Sequence, residues 1–563
     1  MIDKLIHFWN DRRVRLVLAI LVVSFPLVWT LGYHYTPIND GWVQLYVIER
    51  GGNTVEDKLN KILSADIDSR FFRSIPYMIQ GLFQDPNLIV LKLFMIVNFL
   101  MTFFGVYLLV GKLLTQRLHL QFLLSLIYML FPFDGTAFWF GAFGVNLGLL
   151  FSVWSLYFIV VAIQKYSLSV LILGGAFGLV ALLTYPGHIP IYFSILAVVF
   201  FRCASNFKMT LIFGGLLGFI LFWGFVPLLA ELFANEKRNA NVASLDLRLI
   251  GKGYIQAFKT IFIRSPTEIA FVDFRYAAIG FSTSAIVTLL IFLGTDNSDP
   301  GGTTESIFKR LRLYKFFSDN IIGLFLICFG LFFAGYLPYA ITDVRFGNER
   351  QLIYARVSFL FLIISTLWIF QRKYVIFSKP PRIFSSAVFF VFVGLFVQEK
   401  LKVAKSYHDQ SQYVKNFLGK LPIIVPEVGD DQRLIVYFED RQNMTGKSSM
   451  LFNRAQFPIS YVYETGQKKI NVTSLDDSKI RRTYGRAELL INNLEKIIII
   501  DRSNDITLSY HSQNGFKPLT EIISKRGKTT IHISGLPGID NVAANLDGLT
   551  DRQKWYIKQT RNN

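Results

Sequence analysis

The chain has 563 residues, of which 52% are hydrophobic, 16% aromatic and only 17% charged, whereas a soluble domain usually carries about 25% charged residues. Lysine and arginine outnumber aspartate and glutamate by 58 to 39, but they separate apolar runs as long as the roughly 20 residues that cross a bilayer. The composition therefore excludes a water-soluble protein and argues against a basic nucleic-acid-binding face. Cys203 and Cys328 lie in or beside apolar runs, which supports no disulfide framework, zinc site or cysteine nucleophile.

About eleven apolar runs predict membrane-spanning helices. The first, 14–33, follows Arg12, Arg13 and Arg15, and its length without a small-residue cleavage site favours a retained anchor over a cleaved signal peptide. The other predicted spans are 88–111, 118–133, 137–163, 168–185, 189–203, 209–233, 275–294, 320–341, 352–371 and 383–399.

The distribution of basic residues predicts the orientation of these spans, because short connections rich in lysine and arginine stay on the cytoplasmic side. One alternate set of connections contains Lys4, Arg12, Arg13, Lys112, Arg117, Lys165, Arg202, Lys208, Lys309, Arg310, Arg312, Lys315, Arg372, Lys373, Lys379 and Arg382. The other set comprises the short turns 133–135 and 185–188 and the longer loops 34–87, 234–274 and 340–351. We therefore expect a multi-pass protein of the plasma (inner) membrane, with a cytoplasmic N-terminus and an extracytoplasmic C-terminus.

The tail after Glu399 changes character. Short β-branched or apolar runs bounded by Asp, Asn and Gly predict strands at 433–438, 496–500 and 529–533, and 474–494 is predicted to be helical. The predicted fold is thus an all-α polytopic membrane bundle of about eleven helices over 1–399, followed by a small extracytoplasmic α/β domain over 400–563.

The first external loop, 34–87, begins directly after the first span with Asn39-Asp40-Gly41 and continues into a predicted short amphipathic helix, 43–50. One interpretation of Asp40 is a helix N-cap that accepts free amide hydrogens. The other is a catalytic carboxylate. The two are compatible, because capping also holds the carboxylate in place and keeps it ionised.

With this loop, the chain resembles the GT-C superfamily of integral-membrane glycosyltransferases, which includes oligosaccharyltransferases, protein O-mannosyltransferases and aminoarabinose transferases. Members share many spans, an essential Asp or Glu just after the first span, and often an external C-terminal domain. The resemblance implies transfer of a sugar from a polyprenyl-phosphate donor to a glycan, lipid or protein acceptor on the extracytoplasmic face, with Asp40 as general base. Asn39 stands where some members carry a second acid, so the need for a divalent metal, Mg²⁺ or Mn²⁺, is left open.

A departing lipid phosphate requires fixed cations at headgroup depth, and the arginine fork suits phosphate oxygens. Arg70 and Arg73 lie three residues apart and share a helix face if this segment is helical. The alternative is an interfacial helix whose arginines only touch lipid headgroups.

The loop before the tenth predicted span contains more arginine than the positive-inside pattern predicts. Its candidate donor-binding residues are Asp343, Arg345, Arg350 and, just inside the span, Arg356, and Glu349 is a candidate catalytic acid. Mutual ion pairing within the loop, or snorkelling of Arg356 to the interface, are the structural alternatives.

Two short turns supply the remaining candidates. Asp134 lies in a Pro-Phe-Asp-Gly turn and is a further candidate catalytic carboxylate, although Asp is common in turns. His188 follows Tyr-Pro-Gly and is a candidate hydrogen-bond donor to the phosphate of the lipid donor. Membrane lipids, the lipid-linked donor and the acceptor are the expected partners, and nucleic acid is not.

Three other functions compete with this hypothesis. A transporter or flippase for a lipid-linked saccharide predicts ionisable groups along the spans, whereas this sequence places them near the external loops. A polysaccharide polymerase or ligase uses the same lipid donors. A non-enzymatic membrane scaffold is the third alternative.

Overall fold

A computed structural model describes most of the membrane helices and part of the C-terminal region. The residues it describes are 11–32, 37, 40–49, 54, 56–57, 71–83, 85–113, 118–132, 134–165, 167–185, 192, 247–292, 321–340, 352–360, 362–363, 382–429, 432–438, 455–464, 470–475, 480–483, 486–491, 496–499, 505–511, 514–518, 521–524, 529–532 and 548–561.

Helices dominate the first part of the chain. They are α1 (Arg12–Val23), α2 (Phe25–Leu31), α3 (Asp40–Glu49), α4 (Phe71–Phe83), α5 (Ile89–Leu113), α6 (Leu118–Met129), α7 (Phe143–Lys165), α8 (Leu168–Thr184), α9 (Leu247–Phe258), α10 (Ser265–Ala270), α11 (Phe274–Phe292), α12 (Ile321–Ala340) and α13 (Arg382–Ile424). Two 3₁₀ turns, Thr136–Phe138 and Phe140–Ala142, precede α7, and a π-helical turn, Lys259–Arg264, joins α9 to α10.

Several of these helices are apolar enough to cross a membrane. Among the described residues, α5, α7 and α11 pass by length and composition, and the pair α1–α2 makes a fourth candidate. Shorter apolar helices include α6, α8 and part of α12. The chain is thus a membrane protein, as its composition predicts. Predicted spans 189–203 and 209–233 lie outside the described residues, apart from Tyr192, so the number of eleven stays a prediction.

The first predicted span is bent rather than straight. Helices α1 and α2 meet at Ser24 and diverge by 50°. Pro26 lies in the first turn of α2, where it has no amide hydrogen to continue the hydrogen bonds of α1. The carbonyl of Gly32, which ends α2, accepts a 2.9 Å hydrogen bond from Lys92 Nζ of α5. The end of this span is therefore fixed to the bundle immediately before the loop that is predicted to be external.

Helix α13 connects the membrane bundle to the C-terminal region. Its first half packs closely against α11, where a Cβ atom on Gly280 would lie only 2.8 Å from the carbonyl oxygen of Gly394. Its second half buries a stripe at helical spacing: Leu401, Ala404, Tyr407, Ser411, Val414, Leu418 and Leu421. The helix thus continues without a break through residue 399. The domain boundary expected at this residue stays a prediction.

The C-terminal region contains short strands on the far half of α13. They are β1 (Arg433–Phe438), β2 (Asn471–Leu475), β3 (Ile480–Thr483), β4 (Arg486–Ile491), β5 (Lys496–Ile499), β6 (Asp505–His511), β7 (Gly515–Pro518), β8 (Glu521–Ser524) and β9 (Thr529–His532), with helices α14 (Gln456–Val462) and α15 (Asp551–Arg561). Four strands form a sheet in the order β2-β1-β6-β7, in which β1 is parallel to β2 and β6. Phe417 of α13 stacks on Phe438 and packs edge-on to Tyr510, which joins this sheet to the helix.

The sequence predicted three of these strands and misassigned one segment. Strands at 433–438, 496–499 and 529–532 confirm the three predicted. The prediction of a helix over 474–494 is wrong, because β3 and β4 occupy this segment. Strand β4 pairs antiparallel with both β3 and β5, and the three strands form a second sheet. The Arg, Ala, Glu and Leu residues of β4 favour helix as single residues, and strand pairing overrides this preference.

Candidate functional site

The connection between α6 and α7 is held by its own polar groups. Asp134 Oδ1 accepts a 3.0 Å hydrogen bond from the amide of Thr136, and the Thr136 hydroxyl donates to the same oxygen. Asn146 Nδ2 of α7 donates to the Thr136 carbonyl at 2.8 Å. The turn that the sequence predicts at Asp134 thus exists, and it is tied to the first turns of the following helix.

A buried arginine pairs with this carboxylate. Arg356 Nη1 contacts Asp134 Oδ2, and the two side chains are only 2% and 7% exposed. The guanidinium group also lies over the ring of Tyr128 in α6, 4.3 Å from its centre. Because removal of one partner leaves an uncompensated buried charge, breaking such a pair costs about 3–5 kcal/mol. The pair therefore fixes the segment around Arg356 to the α6–α7 connection.

Lys400 of α13 supplies a second cation. Its Nζ donates a 2.6 Å hydrogen bond to the Asp134 carbonyl oxygen, and the ammonium lies 5.4 Å from the centre of the Phe138 ring. Burial by itself raises the pKa of the Asp134 carboxyl, but the charges of Arg356 and Lys400 and the hydrogen bonds from Thr136 outweigh burial and leave this pKa below its usual range. Asp134 is therefore ionised, and its contacts join the α6–α7 connection to Arg356 and to α13.

A small cavity lies beside this ion pair. Its volume is about 20 Å³, and its walls include Asn98, Thr102, Asp134, Asn146 and Arg356. Within the described part of the chain, Asn98 Oδ1 and Arg356 Nε are buried without a hydrogen-bond partner. A cavity of this size admits about one water molecule. It is too small for a sugar ring, so among the described residues Asp134 does not line a space of substrate size.

Helix α3 begins at Asp40, close to the same connection. The structure describes the backbone of Asp40 and not its side chain. At the next position, a Cβ atom on Gly41 would lie 3.0 Å from the Cβ atom of Phe140. Tyr77 of α4 donates a 2.5 Å hydrogen bond to the Phe140 carbonyl. The start of α3 therefore packs on the second 3₁₀ turn, and a side chain larger than that of glycine at this position would press on Phe140.

The other side of α3 packs on the C-terminal region. Trp42 is 2% exposed and meets Tyr461 of α14 edge-on, with ring centres 5.2 Å apart. One turn later Tyr46 packs on Phe457 in the same way, at 5.7 Å. Helix α3 is thus held between the connection 130–142 and α14. We call this arrangement the α3 junction.

The remaining predicted site residues are not tested by this geometry. Arg73 lies in α4, where only its backbone is described. The others lie outside the described residues: Arg70, His188, Asp343, Arg345, Glu349 and Arg350. Of the predicted residues, the structure brings together Asp134 and Arg356.

Sequence reasoning missed several members of the Asp134 cluster. Lys400 was assigned to the tail because an apolar run ends beside it, and Tyr128, Thr136 and Asn146 have no distinctive pattern. The buried stripe along the second half of α13 was a usable signal, because its three- and four-residue spacing predicts that the helix continues beyond Lys400.

The described carboxylates do not form a metal centre. In the part of the chain that the structure describes, no three His, Cys, Asp or Glu side chains are grouped so as to hold a metal ion. Asp134 does not fit the role of metal ligand, because its two oxygens are occupied by Arg356 and Thr136. The suggestion of Mg²⁺ or Mn²⁺ thus depends on acids outside this cluster.

Comparison with known proteins gives distant structural likenesses only. No family model and no curated protein matches the chain. The structure of the archaeal oligosaccharyltransferase AglB from Archaeoglobus fulgidus, in complex with an inhibitory peptide and a dolichol-phosphate, aligns with a TM-score of 0.38 at 12% identity, covering 82% of this chain and 64% of that one. The apo form of the Archaeoglobus fulgidus oligosaccharyltransferase aligns with a TM-score of 0.37 at 10% identity, covering 83% of this chain and 65% of that one. This chain spans just under two thirds of their length, and at such TM-scores the likeness establishes neither a shared fold nor a shared activity.

Proposed function

We propose that this chain is an integral-membrane glycosyltransferase that moves a sugar from a polyprenyl-phosphate donor to a glycan, lipid or protein acceptor on the extracytoplasmic face. The observation that carries the proposal is the position of Asp40. It begins α3 soon after the bent first span, at a junction that packs α3 between the Asp134 connection and the C-terminal helix α14. A general base requires such fixed placement, because its effect depends on reach to the acceptor's proton.

Asp40 is a better candidate base than Asp134. The Asp134 carboxylate is paired with Arg356, accepts hydrogen bonds from Thr136, and adjoins a cavity of about 20 Å³. A base must be free to accept a proton from the substrate. We therefore assign Asp134 to support of the junction and keep Glu349 as the second candidate acid.

Recognition of the donor phosphate is assigned to other arginines. The charge of Arg356 is already balanced by Asp134 inside the bundle, so that this arginine is not the first choice for a lipid phosphate. Arg345 and Arg350, with Arg70, Arg73 and His188 as further candidates, carry this part of the proposal on their sequence positions. Asp343 is proposed to orient these cations.

One observation favours an alternative function. Buried ion pairs inside membrane bundles often belong to transport pathways, and Asp134–Arg356 is such a pair. A flippase for a lipid-linked saccharide is therefore the second candidate, and a polymerase or ligase shares the donor chemistry of the first.

The variant Asp40→Asn tests the proposed reaction. Asparagine has almost the size and shape of aspartate but cannot accept a proton, so we expect folding and donor binding to be retained and transfer to fall by about 10²–10⁴-fold. The measurement is transfer of radiolabelled sugar from a polyprenyl-phosphate hexose by the full chain in nanodiscs, with donor binding measured separately.

Asp57→Asn is the matched control, since Asp57 is an exposed acid in the same predicted loop. Equal transfer by both variants would remove Asp40 as the base. Movement of intact donor between leaflets, without sugar transfer, would instead establish the flippase.

A further inference from the structure

We infer that Lys400 is a positioning residue for Asp40, acting through the α6–α7 connection. The inference rests on the proposed function for its catalytic consequence, whereas the mechanical link is independent of the reaction. Lys400 contacts the connection through the Asp134 carbonyl and the Phe138 ring, so its proposed effect on the reaction passes through that connection.

The first step of the link joins α13 to the connection. Lys400 is 2% exposed, and its ammonium donates to the Asp134 carbonyl at 2.6 Å. The same group faces the Phe138 ring, which packs in turn on Tyr407 two turns further along α13 at 5.5 Å. The connection is thus held to α13 at two points.

The second step joins the connection to α3. Phe138 is followed by the second 3₁₀ turn, in which Phe140 contacts Gly41 and its carbonyl accepts a hydrogen bond from Tyr77. A Cβ atom at Gly41 would lie 3.0 Å from the Cβ atom of Phe140, so the two segments are closely packed. A shift of this turn therefore moves the first turn of α3. Asp40 is the residue that begins that turn.

The third step closes the link from the other side of α3. Tyr463, directly after α14, donates its hydroxyl hydrogen to the carbonyl of Val425, the residue that follows α13. Helix α14 carries Tyr461, the packing partner of Trp42. A single helix, α13, therefore holds both supports of α3, one through Lys400 and one through its C-terminal end.

This arrangement predicts a specific kinetic effect of Lys400→Met. Methionine retains the apolar stem and removes the donor and the charge, which leaves the Asp134 carbonyl without this hydrogen bond. A displacement of about 1 Å at a catalytic group costs roughly 10²-fold in rate. We expect kcat for transfer to fall by up to about that factor, with KM for the lipid donor unchanged, and Lys400→Arg to restore part of it.

The experiment compares Lys400→Met with Lys402→Met in the full chain in nanodiscs. Lys402 lies on the same helix but pairs with Glu399 at 3.0 Å and has its ammonium group near the Phe271 ring, 5.4 Å from the ring centre. Hydrogen–deuterium exchange at the amides of α3 is read beside kcat and KM. We expect faster exchange in α3, by about tenfold or more, only in the Lys400 variant.

The outcomes separate this inference from the proposed function. Unchanged exchange and kcat in Lys400→Met, or equal changes in both variants, would overturn the positioning role. If exchange in α3 is faster in Lys400→Met but the wild-type chain transfers no sugar, the mechanical link is supported and the proposed glycosyltransferase activity is rejected. If Lys400→Met does not fold, Phe138→Leu weakens the same link without unpairing a buried charge, and an unaltered α3 in that variant would also overturn the inference.

Discussion

Two ion pairs lie near the middle of α13, and they differ in how much of the tertiary structure they depend on. Asp134 and Arg356 are 222 residues apart in the chain and only 7% and 2% exposed, whereas Glu399 and Lys402 lie three residues apart on one helix and are 5% and 19% exposed. Helix geometry alone brings the second pair together. The first forms only when segments far apart in the chain have assembled, so it specifies the arrangement of the bundle.

The largest effect is expected from breaking the long-range pair. Arg356→Met leaves the Asp134 carboxylate buried with only Lys400 nearby, and we expect a loss of about 3–5 kcal/mol in the free energy of unfolding. Thermal unfolding in detergent measures the loss. The double variant Arg356→Met with Asp134→Asn should recover a large part of it, because it removes both charges.

The pH dependence sharpens this comparison. The pKa of Asp134 is lowered in the folded protein, so its contribution to stability is present above the ordinary aspartate pKa of about 3.9 and is lost as the pH falls through the lower folded pKa. The contribution of the wild-type pair to the free energy of unfolding should therefore not change between about pH 5 and about pH 8. In Arg356→Met the loss should shrink on acidification, since protonation relieves the unpaired carboxylate. A loss independent of pH would contradict the assignment of Asp134 as ionised.

An intermediate effect is expected where α11 meets α13. A Cβ atom added at Gly280 would lie 2.8 Å from the Gly394 carbonyl oxygen and 3.1 Å from the backbone nitrogen of Gln398. Gly280→Ala must push the two helices apart, and overpacking of this kind costs about 1–3 kcal/mol. Gly330→Ala in α12, where an added Cβ meets nothing within 4 Å, is the matched control. Equal unfolding temperatures for the two variants would show that α11 and α13 are less closely packed.

The smallest effect is expected from the local pair. Lys402→Met removes the partner of Glu399, which is only 5% exposed, but Lys402 itself is 19% exposed and its end of the pair reaches water. We therefore expect a loss of about 1 kcal/mol, at the upper end of the range for ion pairs that contact water. The same unfolding measurement should show a shift several times smaller than that of Arg356→Met. A comparable shift would remove the distinction between the two pairs.

The candidate site could be predicted only in part. Asp134 and Arg356 each attracted attention by position, the first in a short turn and the second inside a span end. Their pairing did not follow from the sequence, where Arg356 was expected to snorkel or bind phosphate. No local pattern connects residues that are so far apart, and the buried environment that makes the pair costly to break exists only in the folded bundle.

The sequence by itself determined that this is a membrane protein with apolar helices, placed three strands of the C-terminal region, and identified Asp40 after the first span. These features depend on composition, on runs of apolar residues and on neighbours along the chain. Only the tertiary structure decided that 474–494 contains strands and that Lys400 and Arg356 converge on Asp134. Those outcomes depend on which distant surfaces pack together, because strand pairing and burial of charge override the preferences of single residues.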